Sequence, residues 1–264
     1  MIPLRDSVPH ERTPVVTIFL IAACTLVYLF ESRLEPWSTQ VLFSLGGLVP
    51  GALFDSEAID RLLAELRSET WRLRGADRRE AQEVLAWAAE SGPRLGPATL
   101  LTSMFLHGSW AHLLGNMWFL WLFGDNVEDR MGRVRFLLFY LLCGLGAAGL
   151  HVALDPESLV PTVGASGAIA GVLGAYVLLF PRARVLTLVP LLFVFTTVAV
   201  PAVLFLGIWF LFQWLGATQA LFDPGGLGGI AYGAHVGGFL AGLALVWIFK
   251  RPARRPRRAT YDVR

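Results

Sequence analysis

The chain has 264 residues, of which 55% are hydrophobic and 16% charged, and its formal net charge is +2. Its mean hydropathy of +0.57 exceeds that of an ordinary soluble domain, and the charges gather between long apolar runs. That distribution excludes a water-soluble globular fold and predicts an all-α polytopic membrane protein. Cys24 and Cys143 fall inside apolar runs, where a thiol acts as a small hydrophobe, so neither is expected to form a disulfide or ligate a metal.

Residues 1–14 read as a polar N-terminal tail. The first apolar run, Val15 to Phe30, is long for a secretion signal, and Glu31-Ser32-Arg33-Leu34-Glu35 offers no small-residue cleavage site. It is therefore read as the first of six spans across a bilayer core of roughly 30 Å. The stretch 31–99 that follows is polar. Within it, Ile59, Leu62, Leu63 and Leu66 fall at i, i+3, i+4 and i+7. This predicts a helix, with a second around Val84, Leu85 and Trp87 and a break at Gly75. A surface helical hairpin is the expectation for Glu57–Ser91, and an element lying on the membrane is the alternative.

The other spans are expected at Phe105–Gly124, Val134–Leu154, Ala165–Phe180, Pro201–Leu221 and Ile230–Phe249. Val185 to Val200 is apolar too, but Pro190 and Pro201 bracket it and β-branched residues dominate, which predicts an extended hairpin at the interface. Residues 15–250 thus form a membrane core, and 251–264 a basic tail. Trp118 to Phe123 reads as a lipid-facing aromatic run. Asp125, Glu128, Asp129 and Arg130, at the inner end of the second span, read as ion pairs fixing a loop.

Basic residues set the orientation. Arg5 and Arg12 precede the first span, Arg130, Arg133 and Arg135 join the second to the third, and Arg182 and Arg184 follow the fourth. Lys250, Arg251, Arg254, Arg255, Arg257 and Arg258 fill the tail, whereas 155–164 and 222–229 contain no Lys or Arg. Short basic loops stay cytoplasmic, so both termini are expected inside and the long first loop outside. The basic tail is short and adjoins a span, which favours anionic headgroups over nucleic acid.

This topology carries polar residues to one depth. His107, His112 and Asn116 lie in the outer half of the second span, Ser166 at the outer tip of the fourth, and His235 about one turn into the sixth. Polar groups in hydrocarbon cost several kcal/mol unless paired or functional. His112 and Asn116, at i and i+4, share a helical face. Gly167 and Gly171, with Gly233, Gly237, Gly238 and Gly242, let the fourth and sixth spans approach closely, which would bring the Ser166 hydroxyl within roughly 3 Å of a His235 nitrogen. Serine needs such a base to become a nucleophile. The Ser166 N–H at a helix N-terminus, His112 and Asn116 are candidate donors to a developing oxyanion. No acidic residue is available at this depth to orient His235, so a dyad is predicted.

Gly164-Ala165-Ser166-Gly167 is not the nucleophile elbow of soluble hydrolases, which would need glycine at Ala168. However, the ordered set His107-x4-His112-x3-Asn116, Gly164-Ala165-Ser166-Gly167 and Gly233-Ala234-His235 strongly resembles the rhomboid intramembrane serine proteases, over roughly Leu100 to Lys250. The resemblance implies a six-transmembrane-helix, rhomboid-like bundle with a long helical extracytoplasmic first loop. It implies Ser166 as nucleophile, His235 as general base, and His112, Asn116 and the Ser166 amide as oxyanion hole, with His107, Gly164 and Gly167 in support. The implied activity is that of an intramembrane serine endopeptidase, cutting peptide bonds in or next to transmembrane segments through an acyl-enzyme. Transmembrane proteins would be its substrates and the lipid bilayer its medium, with no cofactor, no metal and no nucleic acid. The oligomeric state is left open.

Two positions depart from the family pattern. Ala98-Thr99 stands where many relatives carry a Trp-Arg pair, since Trp71-Arg72 is too far upstream. Ala170 stands where many carry an aromatic residue against the catalytic histidine. The alternatives are a catalytically silent rhomboid-like protein that binds clients, a transporter or channel, and a metal site at His107, His112 and His235. Retention of both Ser166 and His235 argues against the first, an inner half without polar residues against the second, and the lack of a carboxylate or cysteine partner against the third. His151 reads as interfacial, and His10 carries no signal. The compact chain is expected in a prokaryotic plasma (inner) membrane, its active site opening extracytoplasmically.

Overall fold

The computed structural model describes residues 2–9, 11–91, 96–191, 194–222 and 230–251. His10, residues 223–229 and residues from 252 onward lie outside the described residues.

The chain opens on a strand, β1 (Ile2–Asp6), followed by α1 (Val15–Glu31) and α2 (Pro36–Gly46). Then come α3 (Ser56–Glu69), α4 (Gly75–Ser91) and the short α5 (Thr99–Thr102). The bundle proper continues with α6 (Trp110–Met131), α7 (Arg133–Leu154) and α8 (Ser166–Leu179). A hairpin of β2 (Arg184–Leu191) and β3 (Val194–Pro201) leads to α9 (Ala202–Phe222) and α10 (Tyr232–Phe249). Among the described residues, three helices, 133–154, 202–220 and 232–249, are long and apolar enough to cross a membrane, and 15–31 and 166–179 are shorter apolar helices.

α8 is the central helix, with every residue from Gly167 to Tyr176 buried. It can be central because it is made of small residues on the face toward α10. A Cβ on Gly238 would land on the carbonyl oxygen of Gly167, and one on Gly242 on that of Gly171. Glycine at these positions therefore sets the separation of the two helices, as close backbone packing in membranes requires. Larger side chains fill the rest of the core, where Phe123, Phe136, Phe139, Tyr140 and Tyr176 are fully buried. By contrast α9 is peripheral, leaving Leu204, Leu211, Phe212 and Leu215 more than half exposed. Apolar exposure of this kind suits hydrocarbon surroundings.

The anticipated hairpin is present, with β2 antiparallel to β3 from Arg184↔Pro201 to Leu191↔Val194. The structure adds a third strand. β1 pairs with β2 antiparallel, giving the order β1-β2-β3, so the N-terminal segment is a sheet edge as well as a tail and the mainly helical protein is not wholly α. β1 is also tied to the bundle, because Trp118 donates its indole N–H to the Pro3 carbonyl at 2.7 Å. Asp6 accepts hydrogen bonds from Asn126 at 2.8 Å and from the Tyr176 hydroxyl. Trp118 is thus not purely lipid-facing.

The acidic residues at the far end of α6 do more than pair with basic ones. Arg12 does lie 3.8 Å from Asp129. Glu128, however, is buried and accepts the N–H groups of Val16 and Thr17 at 3.0 and 2.8 Å. It caps the start of α1, where backbone donors have no partner within the helix.

Between α1 and α6 the predicted helical pair forms as α3 and α4. The break at Gly75 has φ +60, a conformation that glycine adopts without steric cost. α2 was not anticipated, and it completes a small core of Val41, Leu45, Leu63, Leu85 and Ala88. This unit is joined to the α7–α8 loop by mutual hydrogen bonds between Leu48 and Thr162 at 2.9 and 2.8 Å, and by Gly51 N–H to Ser158 O at 2.9 Å.

Candidate functional site

Ser166 is the first residue of α8. The turn before it contains Gly164 at φ +124, outside the range open to most side chains. Space at Gly164 is also short, since a Cβ there would sit 2.6 Å from His112 Cε1 and Nε2. Glycine therefore lets the chain turn into α8 directly against the His112 ring. The Gly164 N–H donates to the Ser103 carbonyl at 2.8 Å, which fixes the turn to the segment before α6.

His235 lies one turn into α10. Its Nε2 is 2.8 Å from Ser166 Oγ, and its Nδ1 is 2.7 Å from the side-chain oxygen of Gln213 on α9. The Trp209 ring, also on α9, lies 6.0 Å from the imidazole, and Tyr232 6.5 Å. Ala170 is buried, so the aromatic neighbours of His235 come from α9 and α10 and not from α8.

α6 supplies the third wall. Ser109 caps this helix by accepting the His112 N–H at 3.1 Å, which sets where the helix begins and hence the rotation of His112 and Asn116. Asn116 is buried, and its Nδ2 has no hydrogen-bond partner among the described residues. Buried donors are seldom left unmatched. This one lines the same cavity of about 580 Å³ as His112, Gly164, Ser166, Trp209 and His235.

His107 stands apart from that cavity. It is 1% exposed, its Nδ1 donates to the Phe105 carbonyl at 3.1 Å, and its ring meets that of His112 edge-on at 5.1 Å. Its backbone N–H donates to the buried Glu31 carboxylate at 3.1 Å. Gly167 is a packing residue, since a Cβ would meet Ala147 at 2.6 Å. His151 Nε2 is 2.9 Å from Thr162 Oγ1, a contact that orders the outer loop. Among the described residues no group of three or more His, Cys, Asp and Glu side chains is arranged to hold a metal ion.

Chemically, a hydroxyl in hydrogen-bond contact with an imidazole whose other nitrogen faces an amide oxygen can pass its proton to that ring. An unmatched amide donor lining the same cavity as the hydroxyl can stabilise negative charge that forms within its reach. Gln213 is the residue sequence reasoning missed. The available signal was an amide well inside an otherwise apolar span, yet its partner lies 22 residues away on another helix.

A helical bundle with apolar flanks and a serine–histidine pair at a helix N-terminus defines a class of membrane-embedded proteins with a polar cavity. The Rhomboid domain matches residues 96–252, more than half of the chain, and the protein belongs to the rhomboid family. It is an integral membrane protein. Among its relatives, Rhomboid-like protein 11, chloroplastic, of Arabidopsis thaliana is 32% identical over 57% of this chain and 52% of its own length. Rhomboid protein 1, mitochondrial, of Saccharomyces cerevisiae is 33% identical over 60% of this chain and 44% of its own. Rhomboid protease GluP of Bacillus subtilis is 36% identical over 55% and 25%. The chain thus spans about half the length of these curated relatives, or less.

Proposed function

We propose that the protein is an intramembrane serine endopeptidase that hydrolyses peptide bonds in or beside transmembrane segments. The observation that carries this reading is the 2.8 Å contact between Ser166 Oγ and His235 Nε2, made inside a bundle with an apolar exterior. Protease-named relatives such as GluP support it.

In this mechanism His235 Nε2 takes the hydroxyl proton as Ser166 Oγ attacks the scissile carbonyl carbon. The oxyanion that forms is held by Asn116 Nδ2, His112 and the Ser166 N–H. Protonated His235 then donates to the leaving amine, the C–N bond breaks, and an acyl-enzyme ester remains on Ser166. Water, deprotonated by the same imidazole, attacks the ester. This releases the new carboxylate and restores the hydroxyl.

In the same reading α1, α6, α7, α8, α9 and α10 are six spans within a membrane core of residues 15–250. Residues 31–99 form an extracytoplasmic insertion, and residues 1–14 and 251–264 are cytoplasmic. Arg12, Arg130, Arg184 and Arg251 gather at the sheet end of the bundle, with Arg12 near Asp129 and the Arg251 N–H bonded to the Arg130 carbonyl at 3.0 Å. Ser166 lies at the opposite end, which under the positive-inside rule opens outward. Transmembrane proteins are the substrates in this reading, and a prokaryotic plasma (inner) membrane remains the proposed location.

The test uses detergent-solubilised protein with a fluorophosphonate probe and a transmembrane test substrate. Wild type should label and cleave, while Ser166→Ala and His235→Ala should do neither. Labelling and cleavage that persist in Ser166→Ala would refute the assignment.

A further inference from the structure

We infer that Gln213 is the positioning residue of the site. Its side-chain carbonyl accepts the Nδ1 proton of His235 and so holds the imidazole in the one tautomer that leaves Nε2 free to accept from Ser166. The inference rests on the reading of Ser166 and His235 as nucleophile and base.

The geometry is a relay of three side chains from three helices. Gln213 Oε1 on α9 lies 2.7 Å from His235 Nδ1 on α10, and His235 Nε2 lies 2.8 Å from Ser166 Oγ on α8. A neutral imidazole carries one ring proton, and the group facing the other nitrogen decides where it resides. A carbonyl oxygen can only accept, so the proton is drawn to Nδ1 and the lone pair is left on Nε2. Were the proton on Nε2, the ring would donate to Ser166 Oγ and could not activate it.

Location supports the same role. Gln213 is preceded in α9 by Leu204, Phe205, Leu206, Ile208, Trp209, Phe210, Leu211 and Phe212, and a polar group at such depth is costly unless it does something. It is not among the residues lining the cavity that holds Ser166 and Asn116; it meets the imidazole from α9, on the nitrogen that faces away from Ser166. The chemistry of the group also fits its setting. In soluble serine hydrolases an aspartate orients the histidine, but an isolated carboxylate in an apolar interior bears a severe desolvation cost. A neutral amide orients the ring without bringing a charge into the bilayer. The missing acid is thus replaced, and the pair becomes a Ser–His–Gln triad.

The experiment compares wild type with Gln213→Leu, which matches the side chain in size but cannot accept, and Gln213→Glu, which keeps an acceptor oxygen. Two readouts are taken: steady-state cleavage of the transmembrane test substrate, and 15N NMR of histidine-labelled protein to assign the His235 tautomer. Gln213→Leu should lower kcat by about 10²-fold, the scale of a misplaced reacting group, with KM little changed. It should also convert a single Nδ1–H tautomer into a mixture. Gln213→Glu, whose carboxyl stays neutral in this apolar setting and keeps a carbonyl acceptor, should restore part of kcat and the Nδ1–H form. Wild-type kcat and an unchanged tautomer in Gln213→Leu would overturn the inference, as would equal losses in both variants with the tautomer intact. Cleavage that survives Ser166→Ala would instead refute the protease reading, and the NMR comparison would still decide whether Gln213 fixes the ring.

Discussion

Glu128 and Thr17 are joined twice: one carboxylate oxygen accepts both the backbone N–H of Thr17 at 2.8 Å and its hydroxyl at 2.9 Å. With the further bond from Val16 N–H at 3.0 Å, a side chain near the end of α6 satisfies the first turn of α1 from 111 residues away. A glutamate is suited to this because its two oxygens can accept several donors at once.

Glu128→Ala should therefore destabilise the bundle by about 3 kcal/mol, because it strands buried backbone donors. Thr17→Val should cost about 1 kcal/mol through loss of the hydroxyl bond alone. Thermal unfolding in detergent, run as a double-mutant cycle, should show the two effects to be coupled. Additive losses would mean that the contact contributes little.

The unmatched Asn116 amide yields a kinetic prediction. Asn116→Leu preserves approximate size and removes the donor, so under the proposed mechanism kcat should fall by about 10²–10³-fold, the usual effect of losing an oxyanion-hole donor, while KM changes little. A fall confined to KM would point to a role in substrate binding.

Gly238 and Gly242 hold α10 against α8 where no Cβ fits. Gly238→Val should push the helices apart close to the Ser166–His235 contact, abolishing both cleavage and fluorophosphonate labelling. Gly242→Val, one turn farther from the site, should lower thermal stability at least as much. A crystal structure of Gly238→Val with the hydroxyl–imidazole distance unchanged would contradict this account.

Asp55 supplies the pH-dependent element outside the membrane. Its carboxylate bonds Arg61 at 2.9 Å and caps α3 by accepting the Glu57 N–H at 3.0 Å. The Arg61 bond, above all, holds its pKa below the ordinary carboxylate value. A depressed folded-state pKa contributes stability that is present above the unfolded value of about 3.9 and lost as pH falls through the folded one. Exchange of the Glu57 amide, corrected for its intrinsic rate, should accelerate over that acid window in wild type. In Asp55→Ala it should be fast throughout. The magnitude should be small, because the pair is exposed and screened.

Much of this arrangement is legible in the one-dimensional pattern. Long apolar runs bounded by arginines place α1, α7, α8, α9 and α10 closely, but the second run, expected at Phe105–Gly124, forms α6 at Trp110–Met131, so that His107 lies before the helix and Asp125 to Arg130 within it. His112, Asn116, Ser166 and His235 line one cavity, as their positions in the runs anticipate. Glycine at four-residue spacing in two runs anticipates the α8–α10 contact. Other elements are not legible. β1 is five residues with a proline at its second position, too short to show alternation, and its partner strand lies some 180 residues on. The signal of α2 is short: Trp37, Val41 and Leu45 at four-residue spacing within eleven residues. Glu128 reads as one more loop acid until α1 is laid against it.

By itself, then, the order of residues determined which segments are apolar, where the charges between them fall, and which reactive groups the protein possesses. Those are sums over local transfer energies and charges, and they survive without coordinates. Tertiary packing alone decided which lone polar side chain faces which. The choice of Gln213 for Nδ1 and Ser166 for Nε2 depends on helix rotation and on interhelical spacing set by glycine, to tolerances of a few tenths of an ångström. Hydrogen bonds are directional and short-ranged, whereas hydrophobic burial is neither, so the apolar segments can be inferred from composition but the pairing of Gln213, His235 and Ser166 cannot.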